Sequence, residues 1–319
     1  MQLFTGRANP ELAGEIASCL GEPLGDAGLI DFPNGELKCR FAESVRGNDV
    51  FIIQPHAGND EMSLNDAIME HLIMIDAARR ASAKRITAVA PFFGYARQDR
   101  KSLGREPITA KLLANMFTVA GAKRLVSVDL HSGQIQGFFD GPVDHLTAQP
   151  VLVDHLSNTI SGDIVVVSPD SGRVKVAERY AKHLDADVAS IYKRRATDRV
   201  AHVEALGIMG HVEGRSCVIV DDMIDTAGTI VKAAETLKEA GAAEVIAAAT
   251  HGVFSGPAID RMKNSELSRV IVTNTLPFPS DKQFDKLEVL SAAKVIADAL
   301  DAVFEDASVS EIFDGENVG

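Results

Sequence analysis

The sequence predicts an α/β protein with two mainly parallel sheets flanked by helices. Short apolar runs rich in Val and Ile alternate with helical patterns along nearly all of the 319 residues. Each run is continuous rather than alternating in polarity, which is typical of a strand buried on both faces of a parallel sheet. Strands and helices that alternate in this way form sheets covered by helices. Ligands of such proteins bind beyond the carboxyl ends of the strands, so we expect a site at that edge.

The predicted elements fall into two sets. Before residue 141, strands are predicted in DVFIIQP, RITAVAPFF and RLVSVDL, with a long helix from about Ser63 to Ala81 and another after Pro107. After residue 150, strands are predicted in DIVVVSPD, SCVIVDD, EVIAAATHG and RVIVTNTL, with helices such as GRVKVAERYAKHL between them. Each set holds about four strands.

The segment GPVDHLTAQP, residues 141–150, is rich in turn formers and separates the two sets. We therefore predict an N-terminal domain over residues 1–146 and a C-terminal domain over residues 147–319, whose terminal tail can pack back on the first domain. The segments VSVDLHSGQ and VVVSPDSGR both run from a β-branched strand into a polar turn, which hints at two copies of one fold.

Composition disfavours several classes of protein. Charged residues make up 24% and hydrophobic residues 46%, as in soluble globular proteins. No apolar run reaches membrane-spanning length, and the start MQLFTGRANP lacks the pattern of a secretory signal, so we expect a cytoplasmic protein with no membrane partner. The 45 acidic and 32 basic residues give a formal charge of −13, which argues against nonspecific nucleic-acid binding. Any phosphate site must therefore be local.

Cations are concentrated in one segment of this acidic chain. Between Arg79 and Arg105 there are eight Lys or Arg residues and a single acid, Asp99. A solvated helix end explains the first four cations, but the stretch from Arg97 to Arg105 lies in a loop bounded by glycines. A solvated linker is the alternative interpretation, and the scarcity of acids disfavours it.

The stretch CVIVDDMIDTAGT, residues 217–229, predicts a ribose-phosphate site. A buried strand ends in Asp221 and Asp222, and a helix follows the turn at once. A helix N-terminus offers unpaired N–H groups to a monophosphate. The two carboxylates can accept hydrogen bonds from vicinal ribose hydroxyls. In the alternative interpretation, Asp225 is an ordinary N-cap and the other acids are solvated.

This stretch resembles the PRPP-binding loop of the type I phosphoribosyltransferase fold. The resemblance implies two phosphoribosyltransferase-like domains and a ribose 5-phosphate site formed by Asp221, Asp222, Asp225, Thr226, Ala227, Gly228 and Thr229. Ala227 stands where many members carry a second Gly, and alanine is unstrained there unless the position needs a positive φ. The motif alone does not separate a phosphoribosyltransferase from an enzyme that makes PRPP.

The segment APFFGYARQDRKSLGREPIT, residues 90–109, resembles the ATP-binding loop of ribose-phosphate pyrophosphokinases, which simple phosphoribosyltransferases lack. Such an arm can close over a triphosphate and exclude water. The resemblance implies that ATP is bound by Arg97, Gln98, Arg100 and Lys101.

Two further segments match the same family and concern a metal. In DLHSGQIQGFF, residues 129–139, His131 follows a predicted strand, and in VVVSPDSG the corresponding position is Asp170. A lone histidine is more often structural, and no zinc-ligand spacing surrounds this one. The resemblance implies that His131 binds ATP through Mg²⁺ and that Asp170 is a second metal ligand. Mg²⁺ prefers oxygen ligands, so the imidazole can act through water.

The segment SIYKRRATD, residues 190–198, is a further match. Alternation along an extended chain places Lys193 and Arg195 on one face and Arg194 on the other. The resemblance implies that Lys193 and Arg195 are catalytic, with Arg195 also holding substrate phosphate. A charged strand edge that deters aggregation is the alternative.

The segment DFPNGELKCR, residues 31–40, resembles the part of the family that reaches the adenine of a neighbouring subunit's ATP. The resemblance implies adenine recognition by Phe32, Asn34, Gly35 and Glu36. Many members have Asp in place of Asn34, whose amide can accept one hydrogen bond and donate another. The family also implies a homo-oligomer, a hexamer, with an active site shared between subunits.

The resemblance implies that ATP and ribose 5-phosphate are converted to AMP and PRPP with Mg²⁺. A phosphoribosyltransferase and a non-catalytic regulatory homologue are the alternatives. A phosphoribosyltransferase has no use for the basic loop, and a regulatory homologue should have lost residues such as Lys193 or His131. Arg46 and Ser310 could serve a regulatory phosphate site, but Asp314 stands where similar chains tend to carry Ser and would repel phosphate.

Overall fold

The computed structural model describes residues 1–194, 205–313 and 315. The chain divides into two compact units. Unit 1 holds Met1–Ala148, Thr275–Pro279 and the chain from Ser291 onward, and unit 2 holds Gln149–Asn274 and Ser280–Leu290. Each unit contains a mainly parallel sheet with helices, which confirms the predicted fold class. In the described ranges, no helix combines the length and the apolar character needed to cross a membrane.

Unit 1 is a six-stranded parallel sheet in the order β2-β1-β5-β6-β7-β8, with a separate antiparallel pair, β3 and β4. The strands are β1 Gln2–Thr5, β2 Leu24–Gly25, β3 Ile30–Asp31, β4 Leu37–Lys38, β5 Asp49–Ile53, β6 Arg85–Val89, β7 Arg124–Val128 and β8 Val143–Leu146. The first helices are α1 Pro10–Leu20, α2 Leu64–Arg80 and α3 Thr109–Ala120, and a 3₁₀ helix spans Gly133–Phe138.

Unit 2 is a seven-stranded sheet in the order β11-β10-β9-β12-β13-β14-β15. All neighbours are parallel except β10 and β11. Its strands are β9 Ile164–Ser168, β10 Asp187–Arg194, β11 Ala205–Met209, β12 Ser216–Ile224, β13 Glu244–Gly252, β14 Arg269–Thr273 and β15 Leu287–Leu290. Its helices are α4 Gln149–Thr159, α5 Val174–Leu184, α6 Gly228–Glu239 and α7 Ala258–Lys263, with a 3₁₀ turn at Ser280–Lys282. Helix α8, Ala293–Phe304, and a 3₁₀ turn, Ser310–Phe313, follow in unit 1.

The expectation of about four strands in each set is wrong, because the sheets have six and seven strands. The additional strands lie mostly at the edges. Strand β2 has two residues, and β15 is only partly buried, so neither shows a continuous apolar run in the sequence. Strand β8 lies within residues 141–150, the turn-rich segment predicted to contain the domain boundary, and it pairs in parallel with β7.

Helix α2 shows why the long helix was predictable from sequence. A capping box begins it, since the Ser63 Oγ accepts from the Asp66 N–H at 3.2 Å and an Asp66 carboxylate oxygen accepts from the Ser63 N–H at 2.8 Å. Arg79 and Arg80 lie in its last turn, where cations interact favourably with the helix dipole. The predicted range, Ser63 to Ala81, is confirmed.

The sheet of unit 1 separates two apolar clusters. Strand β5 is buried along its whole length, and its successive side chains point to opposite faces. Val50 and Ile52 belong to one cluster with residues of α2 and α3, and Phe51 and Ile53 belong to the other with residues of α1 and α8. Burial on both faces holds the carboxyl end of this sheet in place, and the loops that follow β5 and β6 begin there.

Candidate functional site

The two adjacent aspartates of unit 2 lie inside a strand rather than at its end. Strand β12 continues to Ile224, so Asp221 and Asp222 lie within the strand and not at its end. On one side, β12 is paired with β13 throughout this region, with Asp221 opposite Ala249. On the other side, its pairing with β9 extends only to Ile219. The aspartates therefore lie beyond the end of one neighbouring strand, where a parallel sheet opens toward a ligand.

Arg173 links these two carboxylates. Its Nε lies 3.3 Å from a carboxylate oxygen of Asp221, and its Nη2 lies 2.6 Å from one of Asp222. Burial and the adjacent Asp222 raise the pKa of Asp221 well above its usual value, while the guanidinium opposes that rise. Arg173 thus lowers the cost of placing two carboxylates together. Arg173 is not predictable from the local motif, because it lies 48 positions before Asp221, just ahead of α5.

The turn after β12 leads directly into α6, and its geometry differs from the sequence expectation. The residue at the N-cap position is Ala227, not Asp225. Ala227 adopts a left-handed conformation with φ of 60°, so the position does need a positive φ. Alanine has no side-chain oxygen with which to cap a helix, so an anion can accept from the N–H groups of the first turn instead.

Neighbouring residues hold this turn from outside. An Arg261 guanidinium nitrogen donates to the Thr226 carbonyl at 2.9 Å, and the Ser255 N–H donates to the Asp225 carbonyl at 3.0 Å. Gly228 and Thr229 are exposed at the start of α6. A Cβ added to Gly228 would lie 3.4 Å from an Arg261 guanidinium nitrogen, so a cation lies beside the turn. The predicted ribose 5-phosphate residues of the turn thus lie together between the end of β12 and the first turn of α6.

The basic loop of unit 1 runs from the end of β6 to the start of α3. Its first part, residues 91–96, is largely buried, whereas Arg97, Arg100, Lys101 and Arg105 are exposed. Leu103, near the tip, is 72% exposed. The loop therefore presents several cations to solvent from a packed base.

Gln98, predicted to contact ATP, has a structural role in the ligand-free chain. Its N–H donates to the Tyr95 carbonyl at 2.8 Å, and its carbonyl accepts from the Ala110 N–H at 3.2 Å. Its side-chain oxygen also accepts from the Thr109 hydroxyl at 2.6 Å. Gln98 therefore fastens the basic loop to the first turn of α3. Farther along, a Glu106 carboxylate oxygen accepts from the N–H groups of Ser102 and Leu103, which folds the tip back on itself.

Two histidines beneath the loop were not foreseen. The Gly94 N–H donates to the His56 Nδ1 at 3.0 Å, and the His56 Nε2 lies 3.3 Å from the His71 Nδ1. Both rings are fully buried beside Phe93 and Phe117. Burial lowers the pKa of His56 well below its usual value and that of His71 to about 3. The pair is therefore neutral at physiological pH, with the His56 proton on Nε2, and it anchors the base of the loop.

The predicted metal ligands lie one in each unit. His131 is partly buried after β7, and the exposed Asp170 follows β9. A carboxylate oxygen of Asp170 accepts from the Gly172 N–H at 2.7 Å. Across the part of the chain that the structure describes, no group of three or more His, Cys, Asp or Glu forms a metal cluster. Isolated donors of this kind suit Mg²⁺, which keeps several waters and binds substrate phosphates.

The predicted adenine-contacting residues form the tip of the β3–β4 hairpin. Phe32 is 44% exposed, and the Asn34 side-chain oxygen accepts from the Glu36 N–H at 3.2 Å. Gly35 has φ of 86°, which suits glycine in a tight turn. The Asn34 oxygen is thus used within the turn, and its NH₂ group remains as a donor. A groove of about 640 Å³ lies between this hairpin and α2, lined among others by Phe32, Glu36 and Met69.

The predicted catalytic pair lies at the margin of the described residues. Lys193 is near the end of β10, where its backbone pairs with that of Leu206 in β11. Arg195 lies outside the described residues, and so does Asp314. The prediction that Lys193 and Arg195 share a face stays a prediction.

Comparison with known proteins agrees with the motifs. Residues 1–121 match the N-terminal domain of ribose phosphate pyrophosphokinase, and residues 199–314 match a phosphoribosyl synthetase-associated domain. A ribose-phosphate pyrophosphokinase of Streptomyces avermitilis is 53% identical over 315 residues, which cover 98% of this chain and 96% of that protein. One from Corynebacterium glutamicum is 51% identical over 318 residues, covering 99% and 96%. The phosphoribosylpyrophosphate synthetase of Mycobacterium smegmatis, a solved structure, is 51% identical with a TM-score of 0.88, covering 96% of this chain and 99% of that one.

The fold and these similarities define an α/β enzyme of the transferase class that acts in nucleotide biosynthesis. More particularly, the chain belongs to the ribose-phosphate pyrophosphokinase family, and the predicted family membership is confirmed.

Proposed function

We propose that the protein transfers the diphosphoryl group of ATP to the anomeric hydroxyl of ribose 5-phosphate, giving AMP and PRPP. The observation that carries this proposal is that the chain has two unlike segments whose exposed groups suit an anion. Unit 1 has an exposed cationic loop that suits a polyphosphate, and unit 2 has a helix-start turn behind two carboxylates, which suits a sugar monophosphate. Two different phosphate-bearing substrates are what this reaction requires.

The sugar substrate is assigned to unit 2. N–H groups and hydroxyls of the turn from Asp225 to Thr229 bind the 5-phosphate, and Asp221 and Asp222 accept hydrogen bonds from the ribose hydroxyls. Arg173 supports this assignment, because its positive charge offsets the two carboxylates that a dianionic substrate has to approach.

ATP is assigned to unit 1. Arg97, Arg100 and Lys101 extend from the basic loop and contact the phosphates, while the packed base of the loop fixes where they start. Gln98 is exposed beside the start of α3, where its side-chain oxygen accepts from Thr109, and we assign its side-chain NH₂ group to the nucleotide.

In the reaction, the anomeric oxygen of ribose 5-phosphate attacks the β-phosphorus of ATP. The bond from that phosphorus to the α,β-bridging oxygen breaks, AMP leaves, and the hydroxyl proton passes to solvent or buffer. Lys193 and Arg195 stabilise the charge that develops on the transferring group, since phosphoryl transfer depends mainly on positioning and electrostatics. His131 and Asp170 would hold Mg²⁺, which neutralises phosphate charge when it is bound.

We assign the hairpin tip, with Phe32, Asn34 and Glu36, to the adenine of a neighbouring subunit's ATP, in a homo-oligomer that we take to be a hexamer. The exposed aromatic ring at the tip supports a role in stacking on a base. Both substrates are metabolites of the cytoplasm, and we place the reaction there.

Release of AMP from ATP on addition of ribose 5-phosphate, with PRPP followed by phosphorus NMR, tests the proposal. The Lys193→Ala variant is the control for contaminating activity, and Lys232→Ala, an exposed lysine of α6, is the matched control substitution. We expect turnover by wild type and Lys232→Ala, and a fall of about 100-fold or more in Lys193→Ala. AMP formation only from PRPP and adenine would instead support a phosphoribosyltransferase and overturn the proposal.

A further inference from the structure

A fully buried carboxylate, Glu70 on the inner face of α2, has to be compensated by polar partners. One of its oxygens accepts from the Arg7 N–H at 2.6 Å and from the Gln54 side-chain amide at 2.9 Å. The other accepts from the Arg7 Nε at 2.7 Å. Glu70 is thereby held in one position by three hydrogen bonds, and Arg7 supplies two of them.

The same guanidinium reaches outward to the hairpin. Arg7 Nη1 and Nη2 donate to the two carboxylate oxygens of Asp31 at 2.5 and 2.8 Å. Asp31 is the last residue of β3 and directly precedes Phe32 at the hairpin tip. Arg7 therefore joins a fixed, buried carboxylate at one end to the hairpin at the other through all three guanidinium nitrogens.

The hairpin needs such a tie because it belongs to neither larger sheet. Its strands pair only with each other, through two residue pairs, Ile30 with Lys38 and Asp31 with Leu37. A hairpin of this size is at best marginally stable by itself in water. Its base is held by backbone hydrogen bonds from Arg40 and Ala42 to the preceding segment, which leaves the tip to be oriented by other contacts.

We propose that Arg7 is a positioning residue for nucleotide recognition, holding the hairpin through Asp31 so that Phe32, Asn34 and Glu36 meet the adenine base in a fixed orientation. This inference rests on the proposed function for its consequence in catalysis, but not for the tie itself. Lysine cannot replace Arg7, because a single ammonium group lacks the planar fork that contacts Glu70 and both oxygens of Asp31 together.

The choice of variant follows from burial. Removing Arg7 leaves the buried charge of Glu70 without its partner and endangers the fold. The Asp31 side chain, in contrast, is 58% exposed, and exposed ion pairs contribute little to global stability. Asp31→Asn therefore loosens the hairpin while the core remains intact. Asp76→Asn is the matched control, since Asp76 forms an exposed ion pair with Arg80 on α2, at 2.6 Å.

Amide hydrogen exchange in the ligand-free protein tests the tie directly. The Phe32 N–H donates to the Glu36 carbonyl and the Gly35 N–H to the Phe32 carbonyl, so both amides report opening of the hairpin. We expect exchange at these amides to be about five- to tenfold faster in Asp31→Asn, and unchanged in Asp76→Asn. Asp31→Glu, which keeps the charge, should restore most of the protection. Unchanged exchange in Asp31→Asn would overturn the proposal.

Steady-state kinetics tests the consequence. In Asp31→Asn we expect KM for ATP to rise about five- to tenfold while KM for ribose 5-phosphate stays the same. In a Phe32→Ala background, the same substitution should add little, because the tip through which it acts is already impaired. An equal rise in both KM values, or full additivity with Phe32→Ala, would overturn the positioning role. Absence of ATP-dependent turnover in the wild type would refute the proposed function, and hydrogen exchange would still decide whether the tie exists.

Discussion

The loop at residues 97–105 and the turn at residues 225–229 both follow a buried parallel strand, yet they offer different groups to an anion. The loop offers long exposed side chains with full charges, on a segment fastened at its base. The turn offers backbone N–H groups at the start of a helix and has one residue, Ala227, in the left-handed region. The difference suits the ligands that we propose, because a triphosphate varies in shape and charge, whereas a monophosphate fits one fixed cradle.

The ionisable groups beneath these two segments differ as well. Under the loop, unit 1 buries the neutral pair His56 and His71. Behind the turn, unit 2 holds the partly buried Asp221 and the buried Asp222, and Arg173 contacts both. The groups beneath the loop are therefore uncharged. Those behind the turn are two carboxylates and a guanidinium, whose opposite charges compensate one another. Substitutions in the two regions should accordingly differ in the ligand that they affect and in their dependence on pH.

The largest expected effect is on ATP. Changing Arg97, Arg100, Lys101 and Arg105 together to glutamine should lower kcat/KM for ATP by about 1000-fold or more, because several donors to the triphosphate are lost at once. Binding of ribose 5-phosphate, measured by calorimetry, should change by less than about twofold, since we assign its phosphate to the turn of unit 2. Steady-state rates at varied ATP give the first quantity.

A control of equal charge change separates local contacts from a general field effect. Four exposed cations of unit 1 can be changed to glutamine in the same way: Arg80, Lys84, Lys123 and Lys294. We expect this variant to retain near-normal kcat/KM for ATP. Equal losses in both quadruple variants, or equal loss of both substrates in the loop variant, would contradict the assignment of ATP to the loop.

The second expected effect is confined to the sugar. Arg173→Gln removes the cation between Asp221 and Asp222, so two carboxylates face the incoming phosphate without compensation. We expect affinity for ribose 5-phosphate to fall about 100-fold, as truncation of one partner of a buried charged pair often does. Calorimetry with ribose 5-phosphate and with ATP separately measures the contrast, and ATP should bind normally.

A second substitution tests the electrostatic cause. In the Arg173→Gln background, Asp222→Asn removes one of the uncompensated charges, so part of the lost affinity should return. If the double variant binds ribose 5-phosphate still more weakly, then Arg173 contacts the substrate in its own right and does not act by balancing the carboxylates.

Local periodicity predicted much of the fold. Continuous apolar runs located the buried strands, such as β5 and β12, and the helix predicted from about Ser63 to Ala81 is α2. Edge strands were missed, because they are short or only half-buried and lack such runs. Strand β8 is not predicted, since its apolar residues are few and turn formers surround it.

The candidate site was predictable only where its residues are contiguous. The turn from Asp225 to Thr229 was predictable because its residues form one continuous sequence motif. Arg173 could not, because its ion pairs with Asp221 and Asp222 depend on parallel pairing of β9 with β12. Contacts such as that of Arg7 with Glu70, 63 positions apart, arise in the same way from the crossover topology. No local pattern in the sequence encodes such contacts.

The third expected effect concerns acid stability. The pKa of His71 is lowered to about 3 from an ordinary value of 6.5, so the unfolded state binds its proton more readily. Its stabilising contribution is therefore complete above about pH 6.5 and is lost as the pH falls toward about 3. Between pH 7.5 and 5 the loss is about 2 kcal/mol from this group alone. Asp221 acts in the opposite sense, because its pKa is raised and acidification favours the folded state.

Urea unfolding of wild type and His71→Gln at several pH values measures the difference, since other titrating groups cancel in the comparison. Glutamine can still accept from the His56 Nε2, so the buried hydrogen bond is kept. We expect the free energy of unfolding of the variant to fall less than that of wild type, by about 2 kcal/mol, between pH 7.5 and 5. Identical slopes in the two proteins would mean that His71 is protonated without cost.

The smallest expected effect is on the turn itself. At a φ of 60°, alanine costs about 1 to 2 kcal/mol relative to glycine in the folded state, and glycine loses part of this advantage through its greater freedom when unfolded. Ala227→Gly should therefore raise the free energy of unfolding by about 0.5 to 1 kcal/mol and leave phosphate affinity similar or tighter. Urea unfolding and calorimetry with inorganic phosphate measure the two quantities.

Ala240→Gly, at the other end of the same helix, is the matched control for Ala227→Gly. Ala240 is exposed and has an ordinary φ of −84°, so the same chemical change brings no relief there and should lower stability by several tenths of a kcal/mol. Opposite signs at the two positions are thus expected. If Ala227→Gly stabilises the fold but weakens phosphate binding, the left-handed alanine is a constraint that keeps the N–H groups aimed at the ligand. If both variants lose stability equally, Ala227 is unstrained in its left-handed conformation. Backbone strain would then not distinguish the turn at residues 225–229 from the loop at residues 97–105.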